Sequence, residues 1–187
     1  MNETLEAIAK RYTCRDYSDK VPADEALAAI AQAAIESPSG MNRQLWQIIV
    51  VKDKALIEEM DKAGMDFLAS MEDPAHYERI SSRGGRLFYG APCMIMVATK
   101  QATPPGAELF DCGIVAQTIV LAATSLGLAT THCGFAAMPL AGPRGKEFKQ
   151  KLQFPEGFEP GIGILLGYEK NSGTPHTPDQ EKITWVG

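Results

Sequence analysis

Ser37-Pro38-Ser39-Gly40-Met41-Asn42-Arg43-Gln44-Leu45-Trp46, running directly into Gln47-Ile48-Ile49-Val50-Val51-Lys52, is the stretch on which the reading of the fold turns. Pro38 and Gly40 shape a turn, and Ser39, Asn42 and Gln44 offer donors and acceptors in close succession. The apolar run after it reads as a buried strand. Taken alone, the turn is a helix-to-strand connection with Trp46 as core packing. Upstream, a helix begins after Pro22 with Asp24 and Glu25 in its first turn, where the dipole favours negative charge. Its stripe is Leu27, Ile30, Ala34 and Ile35, and it ends at the breaker Ser37-Pro38-Ser39-Gly40.

Outward from there, helices and strands interleave. A first helix is expected from Glu3 to Tyr12, capped by Asn2, with Leu5, Ile8 and Tyr12 on one stripe. Lys54 to Leu68 is helical by period, Met71 to Gly90 reads as polar and irregular, a mobile cover, and the segment from Met65 to Arg86 is expected to shape a pocket. Ala91-Pro92 opens a strand from Met94 to Ala98, and Leu109 to Leu126 forms a long apolar helix. A strand from Ala129 to Cys133, a short amphipathic helix from Gly145 to Leu152, a strand from Gly161 to Tyr168 and a terminal strand from Ile183 to Val186 complete the chain. No internal repeat or linker divides it, so residues 1–187 read as one domain. No G-x-G-x-x-G follows a strand and no phosphate-binding G-x-x-x-x-G-K motif occurs, which removes the common nucleotide-binding architectures. An α+β sandwich around one central sheet is the fold class expected.

Composition narrows the partners. The 187 residues carry a net charge of −5, so no global positive field draws nucleic acid or an anionic membrane. A phosphate-bearing ligand needs a local basic cluster. Cys14, Cys93, Cys112 and Cys133 form no zinc-ligand spacing, and the N-terminus shows no apolar signal core, so reduced thiols and a cytoplasmic location are expected. From Cys112 to Pro143 there is no Asp, Glu, Lys or Arg. That length is enough to span a bilayer. Gln117, Thr118, Thr124, Ser125 and Gly127 interrupt it, and Gly134, Pro139 and Gly142 break it, so a buried helix followed by a buried strand fits better than a membrane span. A helix without a polar face needs cover, which points to a partner subunit.

The basic cluster is Lys10-Arg11-Tyr12-Thr13-Cys14-Arg15. In an extended segment Arg11, Thr13 and Arg15 project from one side, two guanidinium forks flanking a hydroxyl, an arrangement that matches phosphate oxygens. The same residues also suit a helix C-terminus whose cations face the dipole. The neighbours His132 and Cys133 do not form a thiolate–imidazole couple on a strand, since adjacent side chains point to opposite faces.

Taken together, Arg11-x-Thr13-x-Arg15 and Pro38-Ser39-x-x-Asn42-x-Gln44-x-Trp46 resemble the nitroreductase family. The resemblance continues through Ala91-Pro92, Asp111-Cys112-Gly113, Leu126-Gly127-Leu128 with Gly134-Phe135, and Gly167-Tyr168. It implies a three-layer α+β sandwich with a central, mostly antiparallel sheet, intertwined as a homodimer with FMN at the subunit interface. Carried over by position, Arg11, Tyr12, Thr13 and Arg15 contact FMN from one subunit, Arg11 at the phosphate and Arg15 near the N1/O2 edge. Pro38, Ser39, Gly40, Met41 and Asn42 come from the other, and Cys133 and Gly134 bring backbone N–H groups near N5. Threonine at position 13 stands where the family usually has serine. His176 stands where many members place a phosphate-binding arginine, which implies looser, more pH-sensitive FMN retention. The implied activity is ping-pong hydride transfer through the flavin from NADH or NADPH to a nitroaromatic, quinone or related small-molecule acceptor, with no protein nucleophile. The alternatives are a non-catalytic FMN-binding storage protein, or another reaction on the scaffold such as reductive dehalogenation or flavin breakdown.

Overall fold

A computed structural model describes residues 2–102 and 105–187. Helix α1 (Glu3–Lys10) is capped by Asn2, whose Oδ1 accepts the Leu5 N–H at 3.0 Å. The helix stops before Tyr12 because the chain turns extended at Arg11, with φ −59° and ψ 129°. Helix α2 (Asp24–Ile35) follows, and β1 (Trp46–Val51) comes after the 37–44 turn. The remaining elements are α3 (Lys54–Ala69), α4 (Ala75–Ser81), β2 (Cys93–Thr99), α5 (Ala107–Ser125), β3 (Ala129–Cys133), α6 (Met138–Ala141), α7 (Gly145–Lys151) and β4 (Glu159–Gly167).

The four strands form one sheet in the order β1-β2-β4-β3, with every neighbouring pair antiparallel. Strand β2 is central and buried on both faces, which explains its unbroken apolar run rather than an alternating one. Its residues nevertheless sort by the two-residue period. Met94 and Met96 meet Ile57, Met60 and Leu68 of α3 and Phe148 of α7 in one core. Cys93, Ile95 and Val97 meet Leu27 and Ile30 of α2 and Val115, Ile119 and Val120 of α5 in the other. The result is a helix–sheet–helix sandwich in three layers, as expected from the sequence.

Three departures from the sequence reading bear on the site. Residues 71–90 are not irregular throughout: α4 forms there, with Ile80 buried beneath it. A 3-10 turn (Gly134–Ala137) and α6 continue the chain after β3. The turn lies so close to β4 that a Cβ on Gly163 would stand 2.4 Å from Ala136 Cβ. The terminal strand expected from Ile183 to Val186 does not form: among the described residues no strand pairs with it, and Trp185 and Val186 are about 90% exposed (90% and 94%).

Helix α5 is among the described residues the one helix long and apolar enough to cross a membrane. Here it packs Val115, Ala116, Ile119, Val120 and Ala123 against the sheet. Its other side carries Leu109, Phe110 and Ile114 at 62%, 78% and 41% exposure, and α1 adds exposed Leu5 and Ile8.

Candidate functional site

The basic cluster is fixed by the edge of the sheet. Strand β3 is an edge strand whose unpaired backbone is a template for another extended segment. Residues 13–18 supply it. Thr13 bridges Thr130 in parallel, and the Cys14 N–H donates to the Thr130 carbonyl at 2.9 Å. The Thr131 hydroxyl donates to the Cys14 carbonyl, and the Tyr17 hydroxyl donates to Thr131 Oγ1 at 3.0 Å. Cys14 and Tyr17 are thereby buried, while Thr13 and Arg15 project outward on the same side. The extended alternation read from the sequence is what the backbone adopts.

Arg11, half-buried at the end of α1, reaches the C-terminal segment: its Nη2 lies 3.3 Å from His176 Nδ1. Tyr12 turns the other way. Its ring packs on the backbone of Gly173, where a Cβ would fall 2.1 Å from a ring carbon, and its buried hydroxyl has no partner among the described residues. Tyr12 therefore clamps the tail that delivers His176. Nearby, His132 is held below the ordinary histidine range, first by burial and then by the Arg11 charge.

A cavity of about 440 Å³ opens beside this cluster. The β3 end and the turn after it contribute His132, Cys133, Gly134, Phe135 and Met138, and Arg15 comes from the extended segment. Arg79, Arg83, Leu87 and Tyr89 close the opposite wall. A Cβ on Gly134 would meet nothing within 4 Å, so its backbone is open to whatever fills the space. His76 on α4 packs edge-on against Phe135, with centroids 5.4 Å apart and planes at 70°. Cys133 points away from His132 into the core, and burial pushes its thiol up to about 12.

The 71–90 cover is anchored by Asp61, which the sequence reading missed. Its buried carboxylate accepts the N–H groups of Leu87 at 2.8 Å and Phe88 at 3.2 Å. The signal was present: Ile57, Asp61, Gly64 and Leu68 share the buried stripe of α3, and an acid on such a stripe needs internal donors. Arg79 and Arg83 were missed as well, being read only as part of a polar cover.

The 37–44 turn is equally well determined but lies elsewhere. Gly40 N–H donates to Oδ1 of buried Asp111 on α5 at 3.1 Å, and the Ser37 hydroxyl donates to Thr118 Oγ1 at 2.9 Å. Ser39 Oγ accepts the Gln44 N–H at 2.9 Å, and Gln44 Nε2 donates to Asn42 Oδ1 at 2.8 Å. These bonds hold Met41, Asn42 and Gln44 in the left-handed region at φ 54°, 52° and 49°, a strain that non-glycine residues accept only under such constraint. Pro38, Met41 and Asn42 are left exposed. The turn belongs to the α2/α5 layer, whereas the cavity belongs to the α3/α6 layer. Among the described residues no hydrogen bond joins the two. One chain thus brings Arg15, Cys133 and Gly134 to one cavity, sets Arg11 and His176 beside it, and keeps residues 38–42 apart.

Comparison with known proteins agrees with this architecture. Residues 8–168 match the nitroreductase family. A nitroreductase from Desulfitobacterium hafniense DCB-2, whose crystal structure contains bound FMN, shares 55% identity with a TM-score of 0.94 over 100% of both chains. A relative from Methanothermobacter thermautotrophicus, whose name joins NADH dehydrogenase with NAD(P)H nitroreductase, is 29% identical over 97% of this chain and 85% of its own. The NAD(P)H FMN reductase of Bacillus subtilis is 24% identical over 96% of this chain and 72% of its own.

Proposed function

The chain belongs to the nitroreductase family, and from that premise we propose that it is a single-domain, cytoplasmic, homodimeric FMN oxidoreductase that passes hydride equivalents from NADH or NADPH to a nitroaromatic, quinone or related acceptor. The observation that carries this reading is the cavity where Arg15, His132, Cys133 and Gly134 meet with no carboxylate in the lining. The donor set suits FMN. Arg11 and His176 stand beside the cavity for a phosphate, aromatic and aliphatic side chains line the wall for a flat ring, and Gly134 presents backbone that no side chain covers.

When bound, FMN supplies the two-electron store between nicotinamide and acceptor. The chain's own residues bind and orient. Arg11 and His176 hold the phosphate, with the Thr13 hydroxyl beside them. Arg15 would stand at the pyrimidine edge and favour negative charge there. Backbone N–H groups at 133–134 would serve the reacting edge of the ring. No protein nucleophile is needed, in keeping with the strongly raised Cys133 thiol.

A second subunit resolves two otherwise unexplained features. It covers the exposed Leu109, Phe110 and Ile114 of α5 with Leu5 and Ile8 of α1. It also brings its own 38–42 turn to the cavity that this chain leaves without one. The four free, buried cysteines suit a reducing compartment.

The test is anaerobic absorption spectroscopy of FMN-loaded protein. Bleaching of bound flavin by NADH or NADPH, followed by recovery on adding a nitroaromatic or quinone, is the expected result. Bound flavin that stays oxidised with both nucleotides would replace the reductase reading with a storage role.

A further inference from the structure

Three guanidinium groups line the cavity, those of Arg15, Arg79 and Arg83, and no Asp or Glu does. This is unusual for a chain of net charge −5. Several acids of the molecule are committed elsewhere. Glu59 and Glu147 engage Arg144 and Lys151, Asp24 engages Lys52, and Asp19 engages Lys54. Among the described residues, no ion pair involves Arg15, Arg79 or Arg83. Unneutralised guanidiniums gathered at one cavity make a focused positive potential that concentrates anions.

The two groups on the cover have a specific origin. Arg79 lies in the last turn of α4, and Arg83 follows its end at Ser81. Residues four apart near a helix end lie on one side, so both meet the cavity. The Asp61 carboxylate fixes the chain just beyond them at Leu87 and Phe88. The cations are therefore mounted on a held segment rather than a free loop. In the same cavity, Phe135 and Tyr89 offer ring surfaces. Arg83 and Arg15 also border a neighbouring cavity of about 300 Å³, whose acids Asp16, Asp19 and Glu58 pair with its own cations Lys54 and Lys170. Those acids are thereby engaged, and Arg79 and Arg83 both remain available to an anion in the first cavity.

We propose that Arg79 and Arg83 form an oxyanion-binding rim that makes this cavity select aromatic acceptors carrying a carboxylate. This deepens the oxidoreductase reading and rests on it. The rim binds and positions the substrate, and the carboxylate itself is unchanged by the reaction. The same chemistry would also recognise the 2′-phosphate of NADPH, so the experiment separates the two sources.

Holoprotein and the variants Arg79→Gln, Arg83→Gln and the double variant are compared in two assays. In the first, benzoate and benzyl alcohol are titrated against the oxidised flavin, with binding read from the flavin absorption and independent of turnover. Benzoate is expected to bind at least about tenfold more tightly than the alcohol, since a charge-assisted bidentate contact is involved. That preference should fall with either single variant and vanish in the double variant. In the second, KM is measured for 4-nitrobenzoate and 4-nitrobenzyl alcohol with NADH and with NADPH. The double variant should raise KM for the benzoate about tenfold or more while KM for the alcohol and for either nucleotide shifts less than twofold. Equal benzoate binding in wild type and variants overturns the proposal. So does a loss confined to NADPH, which assigns the rim to the nucleotide, or a loss of FMN, which assigns it to the cofactor. Arginine-dependent benzoate binding in a protein whose flavin no nucleotide bleaches would uphold the rim and reject the oxidoreductase reading.

Discussion

Arg11 Nη2 lies 3.3 Å from His176 Nδ1 across 165 positions of sequence. A guanidinium only donates, so in this contact Nδ1 accepts. The pair suits a phosphate set between a guanidinium and an imidazole. Arg11→Gln is expected to weaken FMN binding by about tenfold or more, the worth of a charge-assisted contact. His176→Arg is expected to tighten it by adding a permanent charge and a second guanidinium fork. Fluorescence titration of FMN checks both, and an Arg11→Gln affinity within twofold of wild type would remove the phosphate assignment.

His132 is depressed by burial first and by Arg11 second. The sign follows from linkage. The unfolded chain takes up this proton near pH ~6.5 and the folded chain only at lower pH, so between those values stability falls as pH falls. Histidine NMR should place His132 below its ordinary range. Arg11→Gln should move it upward by removing one repulsive charge, without restoring the ordinary value, since the larger contribution from burial remains. A His132 resonance that ignores Arg11→Gln would contradict the placement of the two groups.

Asp61 holds the wall of the cavity that carries Leu87. Burial raises its carboxyl, opposed by the two backbone N–H groups it accepts. Asp61→Ala leaves the Leu87 and Phe88 donors buried without partners and is expected to cost about 1–3 kcal/mol per unsatisfied group. Hydrogen exchange should show the loss of protection concentrated at residues 75–90. An unperturbed cover in a folded Asp61→Ala protein would refute the anchoring role. Because the raised carboxyl favours the protonated form when folded, this residue's contribution to stability is full below the ordinary Asp range and declines as pH rises through the elevated value.

The exposed side of α5 has its own consequence. Phe110→Glu with Ile114→Glu places charges where Leu109, Phe110 and Ile114 now present apolar surface. Sedimentation is expected to show dissociation into folded monomers that bind FMN poorly. A variant that stays dimeric and keeps FMN would place the interface elsewhere.

The parts of the fold legible in the sequence were those with a strong period or a strong breaker. The buried runs at 93–99 and 159–167, the α2 stripe and the turn at 37–44 have one physical reading each. Helix α4 was not legible because only Ile80 of its residues is buried, so its sequence shows no apolar face. The terminal strand was over-read: Ile183, Trp185 and Val186 are apolar enough, but a strand needs a paired neighbour, and among the described residues none lies against them. At the site, Arg11, Thr13 and Arg15 declared themselves by alternation. Arg79 and Arg83 did not, because their meaning depends on a wall set by Asp61 from another helix.

The central claim is a single site assembled from two segments that one chain keeps apart, and complementation tests it most directly. Arg11→Gln protomers are co-expressed with protomers carrying Met41→Asp and Asn42→Ala, and the mixed dimer is isolated with two affinity tags. Each homodimer should lose FMN affinity, whereas the mixed dimer should bind one FMN per dimer with wild-type affinity, because one of its two sites combines an intact basic segment with an intact turn. A mixed dimer that binds FMN no better than either parent would show that both segments act within one chain, or not at all.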